Sequence, residues 1–199
     1  MAFTFFFRDP QVLERAITAV LPIISGSSKP VIWDAGCAMG PEPYTLAIML
    51  AERMGKFGFR NLQIYATDID ESGQFGDIIK KGEYPEEPLT RIPPEIFSAY
   101  FTQASPGNFV ISDTVRNAVQ YHKHDLLSFK PIREGFSMVV CKNVLLHFTQ
   151  EERIKVIKMF HQALLPGGIF ATEQTQKLPE ELEPMFEKVA SDAQVFKKR

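Results

Sequence analysis

The chain has 199 residues, 45% of them hydrophobic and 23% charged, enough for one substantial core and an ordinary balance for a globular protein. Its formal net charge of −2 offers no electrostatic case for nucleic acid or an anionic membrane surface. Two cysteines, Cys37 and Cys141, are too few for a disulfide scaffold and lack metal-site spacing, so a reducing cytoplasm and no metal are expected.

The start, MAFTFFFRDP, is aromatic but too short for a signal peptide or a membrane span. Residues 9–24, DPQVLERAITAVLPII, predict a helix with Asp9 as N-cap, Pro10 in the first turn, and Val12, Leu13, Ala16, Ile17 and Val20 on one face. After the loop GSSKP, the apolar run VIWDAG reads as a buried parallel strand. EPYTLAIMLAERMG follows as a helix with Gly55 just past its end. LQIYATDID is the next strand, ending in acids, and SGQFGDIIKKG a helix despite its glycines.

Between 82 and 118 the alternation lapses. The proline-rich stretch GEYPEEPLTRIPPEIFSAYF reads as loops with one short helix, and GNFVISDTVRNAVQYHKHDLL as a small antiparallel pair feeding a main strand near 119–125. FSMVVCKN is a strand of which Cys141 is a small apolar member, and TQEERIKVIKMFHQALLPGG a helix. Thr149 and Glu152 have capping-box spacing at its start, and Gly167 and Gly168 are placed at its close. IFATEQ is a further strand, and AQVFKKR a last one, antiparallel at the far side. Strands alternating with helices give an α/β, Rossmann-like fold: a mostly parallel sheet with helices on both faces. Residues 1–199 form a single domain on this reading, with 82–118 as a small antiparallel β insertion lacking a core of its own.

Ligands of an open parallel sheet bind at the carboxyl ends of its strands, where the strand order reverses. Four polar strand ends are candidates: DAGCAMG, Asp68, Asp125 and Asn143. Asp34-x-Gly36-x-x-x-Gly40 resembles a nucleotide loop, but it has Ala38 at a position where glycine is common and lacks the full G-x-G-x-x-G; a purely structural turn explains it equally well. Asp68 can accept from both ribose hydroxyls of an adenosine. It could instead cap the next helix, although Asp70 is better placed for that. No Gly-Lys-Ser/Thr follows, so a P-loop is excluded. Glu42 stands in the first turn of its helix, where a carboxylate repels a pyrophosphate but suits an amino group or a sulfonium. That points to S-adenosylmethionine; the competing reading is a plain helix-dipole contact.

Four blocks, TFFFR at 4–8, IWDAGCAMGPEPYTLA at 32–47, ATDID at 66–70 and CKNVLLHF at 141–148, resemble in order and spacing the catalytic domain of the CheR chemotaxis receptor methyltransferases. The resemblance implies a Rossmann-like class I methyltransferase with S-adenosylmethionine as cofactor and S-adenosylhomocysteine as product. It also implies that Thr4 and Arg8 reach the cofactor, that Gly36 lies against it, and that Glu42 and Asp68 hold its polar ends. Asp125 and Leu126 fall beside the adenine, and Asn143 and Val144 along the methionine portion. The stretch FTFFF at 3–7 is read as a lid over the cofactor, or alternatively as an N-terminal strand or core plug.

The departures bear on the acceptor. The family usually has an N-terminal helical domain before TFFFR, Lys142 replaces an arginine, Pro41 a glutamate, and His147 a tyrosine that would line the acceptor site. The implied activity is methylation of glutamate carboxylates on the cytoplasmic region of chemoreceptors, by a monomer. A glutamate is already ionised at neutral pH, so no general base is needed. Arg8 is assigned to orient the acceptor carboxylate. His147 either borders that site or is structural; His122, His124 and His161 receive no role. Two alternatives stand beside this reading: a non-catalytic cofactor-binding module, and a methyltransferase for another carboxylate. A dinucleotide oxidoreductase is disfavoured by Glu42.

Overall fold

The computed structural model describes residues 4–199. Helix α1 (Pro10–Ile24) buries Val12, Leu13, Ala16, Ile17 and Val20, the face marked by the periodicity. Asp9 does not cap it. The residue is left-handed, with φ 45°, and its side chain makes no capping hydrogen bond; one carboxylate oxygen lies 3.9 Å from Arg8 Nε instead. Strand β1 (Val31–Ala35) is buried along its whole length and leads through residues 36–40 into helix α2 (Pro41–Phe59). Gly55 interrupts α2 at φ 66°, ψ 171°, so the helix end expected there is a kink beyond which helical chain resumes. Strand β2 (Gln63–Asp68) and helix α3 (Phe75–Lys81) follow. Asp70 caps the start of α3, accepting from the amides of Gln74 (3.2 Å) and Phe75 (3.0 Å).

The insertion holds three strands where a pair was expected: β3 (Glu83–Pro85), β4 (Phe101–Ser105) and β5 (Asn108–Ile111), in the order β3-β5-β4 and antiparallel. Helix α4 (Pro94–Tyr100) precedes β4, and the single turn α5 (Asp113–Arg116) follows β5. Tyr84, Leu89, Ile92, Phe101, Ile111 and Val115 bury into the same cluster as Leu13, Ile32 and Leu46, so the insertion draws on the main core.

Strands β6 (Val119–Lys123) and β7 (Phe136–Cys141) return to the main sheet. Helix α6 (Gln150–Ala163) carries the full capping box between Thr149 and Glu152. It ends at Ala163 rather than at the glycines, because β8 (Leu164–Thr172) begins there: Leu164 already pairs with Phe136. The register then slips between Phe136 and Met138, and Pro166-Gly167-Gly168 takes up the bulge. Strands β9 (Phe186–Lys188) and β10 (Val195–Lys198) close the chain.

The seven main strands lie in the order β6-β2-β1-β7-β8-β10-β9. The first five are parallel, and β10 and β9 are each antiparallel to the preceding neighbour. The last strand is therefore antiparallel, as expected, but lies one place inside the edge, which β9 occupies. Chain order runs outward from β1 through β2 to β6, then jumps back to β7. The reversal falls between β1 and β7, which is where a ligand crevice belongs.

Candidate functional site

At the carboxyl end of β1 the chain turns sharply. The amides of Gly36 and Cys37 both donate to the Thr67 carbonyl, at 2.7 and 2.9 Å. Gly36 has φ +95°, and a Cβ there would lie 2.2 Å from Val144 Cγ2. The missing side chain thus makes room for Val144, so the loop after β1 and the turn after β7 press together. Gly40, φ +104°, is likewise crowded from the insertion: a Cβ would meet the Tyr84 hydroxyl at 2.5 Å. That hydroxyl donates to the Met39 carbonyl at 2.8 Å. Asp68 Oδ2 accepts from the Ala38 amide and Oδ1 from the Asp70 amide, both at 3.0 Å, which fastens the loop to the end of β2. A carboxylate has about four acceptor positions, so two amides leave capacity for hydroxyl donors.

A cluster of charges lies behind this loop. Glu42 Oε2 accepts from Lys142 Nζ at 3.0 Å, with the lysine side chain fully buried and that of Glu42 12% exposed. Lys142 Nζ also donates to the Arg8 carbonyl at 3.0 Å, tying the N-terminal segment to α2. The Phe7 amide donates to Thr45 Oγ1 at 3.0 Å and strengthens the tie. Phe6 is fully buried, edge-on to Tyr84 and Phe101 at 5.1 and 5.4 Å. It is a core plug under the insertion rather than part of a lid; Phe3 lies outside the described residues. Glu173, just past β8, accepts through Oε2 from the Asn143 amide (2.9 Å) and Thr172 Oγ1 (2.8 Å), holding Asn143 in its left-handed turn at φ 59°.

Asp34 is fully buried in β1, and neither of its oxygens has a hydrogen-bond partner among the described residues. Glu42 Oε1 and Glu173 Oε1 are also buried and without partners there. Burial pushes the Asp34 carboxyl well above the usual carboxylate range, Glu42 adds to this, and Lys142 opposes it. Burial raises Glu42 too, against the pull of Lys142. Unpartnered acceptors in β1, in the first turn of α2 and just past β8 suit a ligand that carries an ammonium or sulfonium, whereas a pyrophosphate would meet carboxylates.

The other expected residues are placed by local structure. Asp125 is exposed and caps the short turn Leu126–Ser128, accepting from the Leu127 amide at 2.8 Å, while Leu126 is buried. Both follow β6 at the same sheet edge as Asp68. His147 is exposed at the end of the turn Leu145–His147, five positions beyond Lys142 in sequence. The Arg8 side chain is 34% exposed. Thr4, with Phe5, Met39, Tyr84 and Arg91, lines a cavity of about 700 Å³ between the loop and the insertion. Sequence reading counted Asp34 only as the first residue of a possible nucleotide loop and Lys142 only as a departure from the family pattern, and it gave no role to Glu173. The one signal available was a charged residue closing each apolar strand, in WDA, VCK and ATE.

The chain matches the family described as CheR methyltransferase, SAM binding domain, over residues 2–195. It is 32% identical over 188 residues to chemotaxis protein methyltransferase 1 of Pseudomonas aeruginosa, covering 89% of this chain and 68% of that one. It is 30% identical over 170 residues to the chemotaxis protein methyltransferase of Borreliella burgdorferi, covering 81% and 59%. The chain therefore spans roughly three-fifths to two-thirds of these relatives' length. Magnesium protoporphyrin IX methyltransferase from Synechocystis, solved with bound SAM, superposes with a TM-score of 0.53 at 16% identity, over 95% of this chain and 78% of that one. At that identity the likeness shows the fold: a Rossmann-like methyltransferase architecture.

Proposed function

The chain belongs to the CheR methyltransferase family and carries its S-adenosylmethionine-binding domain, and on that premise we propose that it methylates glutamate side chains of chemoreceptors, giving methyl esters. The observation that carries the proposal is the group of carboxylates beside the β1/β7 switch point, hostile to a pyrophosphate: Glu42 bonded to Lys142 past β7, and Asp68 at the end of β2 bonded to the loop over residues 36–40. When bound, the cofactor supplies a methyl group already activated by a positive sulfur. The protein's part is to orient the acceptor carboxylate in line and to exclude water.

Within this proposal Glu42 accepts from the cofactor's ammonium, and Asp68 from its ribose. Leu126 packs at the adenine with Asp125 beside it, Asn143 and Val144 flank the methionine portion, and Thr4 completes the N-terminal wall. Arg8 meets the acceptor carboxylate at the rim, its backbone held by Lys142 and its guanidinium partly exposed. His147 borders the same rim. The partner is the receptor's cytoplasmic region, the location cytoplasmic and the working form a monomer with residues 1–199 as one domain. Among the described residues no helix is long and apolar enough to cross a membrane.

The test is incubation with methyl-labelled S-adenosylmethionine and receptor cytoplasmic fragments. Label on the fragment that leaves as methanol in mild alkali supports a glutamate ester. Alkali-stable label sinks that assignment. Binding without any transfer favours the non-catalytic module.

A further inference from the structure

We propose that Asp34 is a proton-linked positioning group, giving up its proton to solvent as the cationic methionine end of S-adenosylmethionine settles beside Glu42. The inference rests on the cofactor reading above and adds to it a residue and a coupled proton.

Side chains alternate along β1. Trp33 and Ala35 enter the core on the α6 side and Ile32 the core on the opposite side, so Asp34 faces the layer that holds Ile32 and the buried part of α2. There it is fully enclosed, and both oxygens lack a partner among the described residues. An ionised carboxylate left in that condition is strongly disfavoured, and the neutral acid is the form the site tolerates.

The groups that act on Asp34 come from α2, from β2 and from the chain past β7. Glu42 from α2 and Asp68 from β2 both oppose its ionisation, and only Lys142, past β7, favours it. Cys37, in the loop, is itself a buried neutral thiol. Lys142 is already committed, with Nζ bonded to Glu42 Oε2 and the Arg8 carbonyl. Arg8 and Glu173 act on Glu42. The Glu42–Lys142 pair is neutral as a unit, and Glu173 Oε2 has two donors. Asp34 is therefore the acid whose ionised form has no cation of its own, and a ligand ammonium is the group that would stabilise it.

The balance is simple. The neutral acid becomes a carboxylate, the proton passes to buffer, and no other bond changes. Cofactor affinity should then rise with pH, by at most about tenfold per unit, up to the titration of Asp34 in the ligand-free protein.

The experiment is calorimetric titration of the full chain with S-adenosylhomocysteine, which keeps the ammonium, near pH 6 in two buffers of different ionisation enthalpy. The heats should differ by about one proton released per ligand, on the single-site linkage above. Asp34→Asn should abolish the difference and flatten the pH dependence. Asp34→Ser provides the same comparison with a smaller side chain, should the amide disturb the fold. Equal heats in both buffers for the native chain overturn the inference, as does an unchanged proton count in either variant. Such outcomes leave the cofactor reading intact, because binding is still seen. Absence of binding by the native chain removes both.

Discussion

Alanine at position 36 would carry its methyl group 2.2 Å from Val144 Cγ2 and 3.3 Å from Val144 Cβ, on a backbone with φ +95°. Carbon atoms in good contact stand about 3.5–4.0 Å apart, so Val144 or the loop must shift. Two costs combine. Holding a residue with a Cβ in this region costs about 1–3 kcal/mol, and overpacking a well-filled site costs about 1–3 kcal/mol more. The sum, about 2–6 kcal/mol, corresponds to a fall in melting temperature of at least ~4 °C for a chain of this size. The steric share depends on Val144 and the backbone share does not. Urea denaturation of the native chain, Gly36→Ala, Val144→Ala and the double variant separates them. The double variant should recover at least about 1 kcal/mol relative to the sum of the singles, leaving the φ cost in place. Additivity to within about 0.5 kcal/mol would refute the argument that Gly36 exists to admit Val144.

Lys142→Met should destabilise by about 3–5 kcal/mol, because it strands the buried Glu42 carboxylate; adding Glu42→Gln should restore a large part of the melting temperature, and a single variant that melts within a degree of the native chain would contradict the buried pair. Asp34 holds its proton more tightly folded than unfolded, so its contribution to stability is full below the unfolded carboxylate range and is lost as pH rises toward the raised folded value. Asp34→Asn, which does not titrate, should accordingly gain on the native chain in melting temperature as pH climbs from about 4 to 8, and a pH-independent difference would rule this out. Thr149→Ala breaks the capping box at α6 and should cost about 1 kcal/mol in urea denaturation; a change of a few tenths would mean that Glu152 alone holds that helix end.

Much of the architecture was legible because its signals are local. The buried face of α1, the continuous apolar runs of β1 and β7, and the Thr149–Glu152 box each depend on residues a few places apart, and periodicity or spacing reports them directly. Strand β3 escaped because three residues ending in proline show no alternation. The end of α6 was misplaced because Pro166-Gly167-Gly168 punctuates a chain that β8 had already drawn into the sheet at Leu164.

The sequence by itself determined the class of the fold, the strand ends where polar residues gather, and the family motifs that imply the cofactor. What it could not show is which of those polar residues meet. Parallel pairing sets Asp34 beside Val140, so the chain leaving β7 passes the loop that leaves β1. That register carries Lys142 to Glu42, 100 residues away in sequence, and Val144 into the space over Gly36. Only the tertiary structure decided that Lys142 is committed to Glu42 and that Asp34 has no partner among the described residues. The reason is physical: a charge is satisfied or isolated by whatever the remaining segments bring within a few ångströms, and no pattern along the chain encodes that distance.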